Sequence, residues 1–180
     1  MIISPKTLTG AFYVTGPAGA GKTTLTADLQ RLGYNARDID NGLGHFKNND
    51  GTIVPPSQIH PENEEWARHH QWAIDGAALR FELNRFRNNH IFICGAARNQ
   101  YDFFPLFTKV FYLDAGQQTI TERVQQERDH SYGKHAFQLR KIIEDMDDFR
   151  QRVQSEGAIL INAEQAAGAV TTDILEAAAA

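Results

Sequence analysis

Gly16-Pro17-Ala18-Gly19-Ala20-Gly21-Lys22-Thr23 is the stretch of this sequence that decides its fold. An apolar run at residues 11–15 precedes it, and leucines at helical spacing follow it as far as Leu32. The stretch matches the pattern G-x-x-x-x-G-K-[ST], which between a strand and a helix is typical of a loop that surrounds phosphate oxygens with backbone N–H groups. The sequence therefore predicts a phosphate-binding loop that joins the first strand to the first helix.

The residue types in this loop predict a nucleoside triphosphate with magnesium as the ligand. Lys22 is expected to bridge the β- and γ-phosphates, the Thr23 hydroxyl to ligate Mg2+, and Thr24 to contact the α-phosphate. The sequence lacks an Asn-Lys-x-Asp guanine signature, which favours ATP. The predicted nucleotide-binding residues of the loop are Gly16, Pro17, Ala18, Gly19, Ala20, Gly21, Lys22, Thr23 and Thr24.

Short apolar runs alternate with longer helical patterns along the chain. Strands are predicted at residues 11–15, 34–39, 90–94, 110–113 and 159–161. A long helix is predicted at about 61–88, and residues 41–60, rich in Gly, Asn and Pro, are predicted to form a loop. Apolar strands that alternate with helices indicate an α/β fold, a parallel sheet with helices on both faces. Ligands of such sheets bind at the carboxyl ends of the strands.

Composition and charge narrow the class of protein. The 180 residues fit a single domain over 1–180, and the net charge of −4 argues against broad nucleic-acid binding, which needs many cationic contacts. The single cysteine, Cys94, excludes an intramolecular disulfide and favours a reducing cytosol. No apolar run approaches the ~20 residues of a membrane span, and no signal peptide is recognisable. We therefore expect a cytoplasmic monomer or homodimer without nucleic-acid or membrane partners.

Two carboxylates follow the second predicted strand. Asp38 and Asp40 are two residues apart, and residues at that spacing on a strand point to the same side. One is expected to hold the magnesium shell and the other to orient or deprotonate an acceptor hydroxyl. Asp40, nearer the strand tip, is favoured as the catalytic carboxylate and as the metal ligand beside Thr23. The alternative is a turn in which both aspartates only accept hydrogen bonds from backbone N–H groups.

The third predicted strand ends in small residues without a carboxylate. Residues 95–97 are Gly, Ala and Ala, and Arg98 follows them. Many P-loop ATPases carry Asp or Asp-Glu at this point, so its absence argues against a motor-type or AAA-type ATPase. The small residues leave room for a ligand, and Arg98 is predicted to bind an anionic or polar acceptor. The alternative is a surface arginine.

A polar segment after the fourth predicted strand indicates a lid at about 123–136. A helix delivers Arg123 and Arg128 into residues 129–134, which include Gly133 and Lys134. Guanidinium groups bind phosphate through two nitrogens and neutralise charge on a migrating phosphoryl group. Arg123 and Arg128 are therefore predicted catalytic residues beside Lys22 and Asp40. Arg123 alternatively stacks on the base of the nucleotide, and a solvated helix of mixed charge is the remaining interpretation.

Aromatic and histidine side chains cluster in the predicted long helix. Trp66 and His70 lie on adjoining parts of one helical surface, and Trp72 is close by. Such rings stack on a base or cover the ring of an acceptor, and core packing by the tryptophans is an equal alternative. The predicted substrate-binding residues are Asp38, Asp40, Trp66, His70 and Arg98.

The order of these parts resembles the nucleoside monophosphate kinase and shikimate kinase group of P-loop proteins. A P-loop, an Asp-x-Asp, an acceptor-side region at about 41–88, a small-residue strand end and two lid arginines follow one another over about residues 10–175. The resemblance implies a three-layer P-loop NTPase fold with a five-stranded parallel sheet in the order 2-3-1-4-5. It also implies a mobile lid over ATP with Mg2+, and it matches Arg123 to the first lid arginine.

These features predict a kinase that transfers the γ-phosphate of Mg-ATP to a small-molecule acceptor, such as a nucleoside, a nucleotide or a similar metabolite. The alternative is an ATP-hydrolysing regulatory or switch ATPase without a small-molecule acceptor, which predicts slow turnover and nucleotide-dependent partner binding. A third hypothesis is a protein that binds the nucleotide without catalysis.

Overall fold

The computed structural model of the chain describes residues 4–5, 7–126 and 132–180. The strands are β1 (Gly10–Thr15), β2 (Ala36–Asp38), β3 (Gly44–Asn48), β4 (His70–Ile74), β5 (His90–Cys94), β6 (Lys109–Asp114) and β7 (Ile159–Asn162). The α-helices are α1 (Lys22–Arg31), α2 (Glu64–His69), α3 (Gly76–Arg85), α4 (Gln117–Gln125), α5 (Ala136–Ser155) and α6 (Ala167–Ala179). Within the described ranges, no helix has the length and apolar character needed to cross a membrane.

Five strands form a parallel sheet in the spatial order β2-β5-β1-β6-β7. β1 lies in the centre, where Val14 is opposite Cys94 on one side and Phe111 on the other. Counted among themselves along the chain, the five strands have the order 2-3-1-4-5, so the predicted α/β fold and its strand order are confirmed. The carboxyl ends of β1, β2 and β5 meet at one edge of the sheet, and the predicted site residues follow these ends.

Helices cover both faces of this sheet. Neighbouring side chains of β1 point to opposite faces, Phe12 to one and Tyr13 to the other, and both are fully buried. The first face packs against α1 and α6, whose Leu29 and Ile174 are fully buried, and the second packs against Leu79 of α3. Burial on both faces explains why the strands are continuous apolar runs in the sequence.

The predicted long helix at 61–88 is wrong, because the strand β4 interrupts it. β4 pairs antiparallel with β3, which lies within the stretch 41–60 that was predicted to be loop. The Trp72 indole packs on Gly44, where a Cβ atom would lie 2.5 Å from the ring, and the Phe46 ring centroid is 5.0 Å from that of Trp72. Pairing between distant residues outweighs the helical spacing of the apolar residues. We call β3 and β4 the acceptor-side hairpin.

Helix α3 begins after this hairpin with a side-chain cap. The Asp75 carboxylate accepts hydrogen bonds from the N–H groups of Ala77 and Ala78 at 2.9 and 3.0 Å. These bonds, with that from Ala78 the strongest influence, hold the pKa of Asp75 below its ordinary value. This cap fixes the start of α3 at Gly76, whereas the separate helix α2 begins nearer the predicted start, at Glu64.

Candidate active site

The phosphate-binding loop forms the turn between β1 and α1. Gly21 caps α1 with a φ of 100°, a left-handed conformation that favours glycine. The Nζ of Lys22 donates hydrogen bonds to the backbone oxygens of Gly16 and Pro17 at 2.8 and 2.9 Å, so the ammonium group lies against the loop. Lys22 and the start of α1 thus place positive charge where the sequence predicts phosphates.

Asp38 lies beside the first turn of α1. The Thr23 hydroxyl donates to Asp38 Oδ2 at 3.2 Å, and the backbone N–H of Asp40 donates to Asp38 Oδ1 at 3.0 Å. Asp38 is only 6% exposed, whereas Asp40 is exposed to solvent. The structure therefore brings Asp38, and not the favoured Asp40, next to Thr23.

This difference from the sequence prediction arises because β2 ends at Asp38 instead of continuing to residue 39. The N–H of Ile39 donates to the carbonyl of Cys94 at 2.9 Å, and the N–H of Asn41 turns back to the carbonyl of Asp38 at 3.1 Å. Asp40 consequently lies in a turn, and strand alternation does not apply to it. The backbone hydrogen bond from Asp40 to Asp38 also matches the turn that was the alternative interpretation.

The side chains at this point fit a magnesium ion. Mg2+ prefers oxygen ligands and is bound through one or two carboxylate or hydroxyl oxygens together with substrate phosphates. Thr23 and Asp38 supply a hydroxyl and a buried carboxylate that already lie within hydrogen-bond distance of each other. Among the described residues, no cluster of three or more His, Cys, Asp or Glu side chains forms a different metal site.

Strand β2 is short, and an ion-pair cluster anchors it to α3. Arg37 Nε donates to Glu82 Oε1 at 2.9 Å, and Arg85 Nη1 donates to Glu82 Oε2 at 2.8 Å. Glu82 is 7% exposed, so its carboxylate depends on these two arginines for its solvation. The cluster ties the side chain of Arg37, the residue before Asp38, to α3.

The segment after β5 carries the small residues and Arg98 that the sequence singled out. Arg98 is exposed, and its backbone N–H donates to the carbonyl of Trp72 at 3.0 Å. A Cβ atom at Gly95 would lie 2.2 Å from Ile39 Cγ1, so only glycine lets the turn with Asp38 and Asp40 pack against this segment. The predicted room at residue 95 is therefore filled by Ile39.

Two amide side chains in this segment escaped the sequence analysis. Asn99 exchanges hydrogen bonds with the backbone of Ile74, and buried Gln100 accepts one from the Thr15 hydroxyl at 2.9 Å. Nothing in the sequence distinguishes these amides from other polar residues after a strand. Only the fold shows that both have partners at the edge of the sheet where the site lies.

Helix α4 begins next to the segment that follows β7. Glu164 Oε1 accepts hydrogen bonds from the Gly116 N–H at 2.8 Å and from the Thr119 hydroxyl at 3.1 Å. These bonds, the one from Gly116 first, lower the pKa of Glu164, and the charge of Arg123 adds to the effect. Arg123 is half-buried in the last turn of α4, close enough to Glu164 for its charge to act on that carboxylate.

The predicted lid is only partly included in the structure. Arg128 lies outside the described residues, so its predicted catalytic role stays a sequence prediction. Lys134, after the gap, is exposed. Another arginine that the sequence analysis missed, Arg150 of α5, makes a two-pronged ion pair with Asp114 at the end of β6, with Nε and Nη2 at 3.0–3.1 Å from the carboxylate oxygens.

The aromatic side chains of the acceptor-side region pack on one another. The rings of Trp66 and His70 stack with centroids 4.0 Å apart, and Phe46 contacts both Trp66 and Trp72 edge-on at 5.0 Å. His70 Nδ1 also lies 2.6 Å from the carbonyl oxygen of Trp66. These contacts are those of a small hydrophobic cluster, and acceptor binding by Trp66 and His70 stays a prediction.

The parallel sheet, its strand order and the loop around Lys22 define a P-loop protein. A family model described as "AAA domain" matches residues 13–147, which is most of the chain, and the chain belongs to this family. In the sequence, the absence of a carboxylate at the end of β5 argued against an AAA-type ATPase. The match shows that this absence does not exclude membership of a family described as an AAA domain.

Individual relatives and solved structures are kinases. A probable gluconokinase from Schizosaccharomyces pombe is 30% identical over 131 residues, which are 66% of this chain and 64% of that protein. The chain thus spans slightly less than two thirds of the length of this curated relative.

Three solved structures share the fold. Shikimate kinase from Acinetobacter baumannii, solved with shikimate, has a TM-score of 0.59 at 20% identity over 94% of this chain and 92% of that one. A gluconokinase from Sinorhizobium meliloti has a TM-score of 0.57 at 16% identity, covering 96% and 93% of the two chains. Deoxyadenosine kinase from M. mycoides with bound dATP has a TM-score of 0.55 at 16% identity, covering 94% and 100%.

Proposed function

We propose that the protein is a phosphotransferase that moves the γ-phosphoryl group of Mg-ATP to a hydroxyl group of a small molecule. The observation that carries this proposal is the arrangement of Thr23, Asp38 and Asp40 beside the phosphate-binding loop. A buried carboxylate contacts the loop hydroxyl, and a second, exposed carboxylate lies two residues further on. This arrangement supports Asp38 as the group that holds the metal and Asp40 as the group that faces the acceptor.

On the donor side, the loop binds the triphosphate and Lys22 neutralises its charge. Lys22 exchanges its bonds to the Gly16 and Pro17 carbonyls for the β- and γ-phosphates. Thr23 and Asp38 would hold Mg2+, which would neutralise charge on the phosphates. Arg123 and Arg128 of the predicted lid add positive charge, or Arg123 instead covers the base.

On the acceptor side, Asp40 orients the hydroxyl and accepts its proton. The acceptor oxygen forms a bond to the γ-phosphorus while the bond from that phosphorus to the leaving oxygen of ADP breaks. Arg98 binds an anionic or polar group elsewhere on the acceptor. Most of the rate enhancement then comes from positioning and from electrostatic stabilisation.

The relatives suggest which acceptors to test. The name of the curated relative points to gluconate, and the fold neighbours point to shikimate and deoxyadenosine as further candidates. We expect one member of a panel built around these compounds to accelerate ADP release. We further expect the enzyme to be cytoplasmic, to need no nucleic acid or membrane, and to be a monomer or homodimer.

The test is ADP release measured with Mg-ATP and each acceptor, using the wild type and Lys22→Ala. Wild-type turnover should depend on one acceptor, and Lys22→Ala should lose at least 100-fold in kcat/KM, a change of about 2.7 kcal/mol. Lys141→Ala is the matched control, because Lys141 lies on the surface of α5 with its side chain 60% exposed. Slow ADP release that ignores every acceptor would instead favour the switch ATPase.

A further inference from the structure

Two consecutive amide side chains, Asn99 and Gln100, connect the acceptor-side hairpin to the strand that carries the phosphate-binding loop. They follow β5 at the edge of the sheet where the candidate site lies. The proposed chemistry uses neither side chain. Asn99 hydrogen-bonds to the acceptor-side hairpin, and Gln100 hydrogen-bonds to β1 just before the phosphate-binding loop.

Asn99 holds the carboxyl end of the hairpin. Its Oδ1 accepts from the Ile74 N–H at 2.8 Å, and its Nδ2 donates to the Ile74 carbonyl at 3.1 Å. The Arg98 N–H adds a bond to the Trp72 carbonyl at 3.0 Å. Residues 98–99 therefore satisfy the edge of β4 that faces away from β3, and Ile74 itself is 1% exposed. At this end β4 is bonded on both of its edges, to β3 and to residues 98–99, which limits its freedom to shift.

Gln100 holds the carboxyl end of β1. Its Oε1 accepts from the Thr15 hydroxyl at 2.9 Å and from the Tyr13 hydroxyl at 3.4 Å. Thr15 is the residue before Gly16, the first residue of the phosphate-binding loop. Burial raises the pKa of Tyr13, so its hydroxyl stays protonated and able to donate. Gln100 is 2% exposed and therefore lies behind the site instead of facing a substrate.

We propose that Asn99 and Gln100 are positioning residues that set the distance between the acceptor-side hairpin and the phosphate-binding loop. The proposal rests on the kinase function proposed above, because that distance matters only when two ligands react. The backbone between residues 99 and 100 is the shared link, so removing either amide weakens the same connection, while the Arg98 N–H still bonds to the Trp72 carbonyl. Gln100 is buried and its Oε1 accepts two side-chain hydrogen bonds, while Asn99 both accepts and donates, and such bonds restrict the side chains as a spacer requires.

The expected effect separates catalysis from nucleotide binding. Asn99→Ala removes both bonds to Ile74, and Gln100→Met removes the acceptor oxygen while keeping the side-chain length. Because a shift of ~1 Å in a reacting group costs up to about 100-fold, each variant should lower kcat by about 10- to 100-fold. The Kd for Mg-ATP, measured by calorimetry, should change by less than about twofold. The double variant should be no slower than the slower single variant, since both act on one link.

The controls keep a general loss of stability apart from loss of positioning. Asn88→Ala and Gln151→Met make the same chemical changes at exposed residues and should leave kcat unchanged. Gln100→Glu keeps an acceptor oxygen and should recover most of the activity that Gln100→Met loses. If Asn99→Ala does not fold, Asn99→Asp replaces it, because it keeps the oxygen that accepts from Ile74.

Amide hydrogen exchange gives a readout that needs no acceptor. In Asn99→Ala, a peptide covering residues 70–76 should exchange at least tenfold faster than in the wild type. If the wild type shows no kinase activity but Asn99→Ala still exchanges faster, the kinase function is contradicted and the mechanical link between hairpin and loop is supported. An active wild type whose kcat is unaffected by both substitutions, or whose losses simply multiply in the double variant, would overturn the positioning role.

Discussion

At the scale of single residues, the separate roles that we propose for the two aspartates depend on the point at which β2 ends. Asp38 is buried and contacts Thr23, while Asp40 is exposed in the following turn. The sequence placed two carboxylates near the phosphate loop, but it did not reveal which one reaches α1. Asp40 leaves the strand because the N–H of Asn41 turns back to the carbonyl of Asp38, while Asp38 is placed by the pairing of β2 with β5, a strand far away in sequence.

Replacing each aspartate by asparagine should therefore give different kinetic defects. Asp38→Asn should raise the Mg2+ concentration needed for half-maximal turnover by at least tenfold, because the metal loses a charged ligand. Asp40→Asn should lower kcat by about 100-fold or more, the usual size of a lost general base, with little change in the Mg2+ requirement. Magnesium titrations of ADP release at saturating acceptor measure both effects.

Asp173→Asn is a suitable control, because Asp173 is an exposed residue of α6. Its Mg2+ requirement and kcat should equal those of the wild type. Identical defects in the Asp38 and Asp40 variants would contradict separate roles for the two carboxylates.

At the scale of elements, the helices and strands of the central sheet followed from the sequence, and the acceptor-side hairpin did not. Strands buried on both faces are apolar throughout, so residues 90–94 and 110–113 were recognisable without their partners. The residues of β4 alternate weakly, and their pairing with β3 depends on the fit of Trp72 on Gly44. Such a contact between distant residues leaves no local pattern to recognise.

The edge strand β2 should depend on the buried carboxylate of Glu82 for its stability. Glu82→Gln keeps the size of the side chain but removes the charge that Arg37 and Arg85 share. Because both arginine side chains are about half exposed and remain hydrated, we expect a loss of only about 1–2 kcal/mol in the free energy of unfolding. Urea unfolding monitored by circular dichroism measures this loss.

Glu156→Gln, at the exposed carboxyl end of α5, provides the comparison and should be nearly neutral. The Glu82 variant should also lose activity, since Arg37 is next to Asp38 in the strand. An unfolding free energy equal to that of the wild type would show that the ion-pair cluster does not anchor β2.

At the scale of the whole molecule, we expect His90 to make folding sensitive to acid. His90 is 2% exposed, and its Nε2 accepts a hydrogen bond from the Asn35 N–H at 3.0 Å. This bond requires that Nε2 carries no proton, so the ring is neutral. Burial lowers the pKa of His90 below its ordinary value of 6.5. The unfolded chain therefore takes up a proton at a higher pH than the folded chain does.

The free energy of unfolding should thus be constant with respect to this group above pH 6.5 and should fall as the pH drops below that value. One proton accounts for a slope of at most about 1.4 kcal/mol per pH unit. His90→Gln should flatten the part of the slope due to this group, as measured by urea unfolding at several pH values. His60→Gln, at a side chain that is 56% exposed, should keep the wild-type slope. Equal slopes in wild type and His90→Gln would contradict the prediction.

The lengths of the two outermost strands have a consequence for how copies of the molecule behave when crowded. The edge strands β2 and β7 contain three and four residues. The inner strands β1 and β6 contain six residues each. Short edge strands expose few unpaired backbone groups, and the edge strand β2 also carries the charged residue Arg37. A second copy therefore finds little backbone on which to add a strand, and newly made chains at high concentration should resist growing into fibrils by sheet extension.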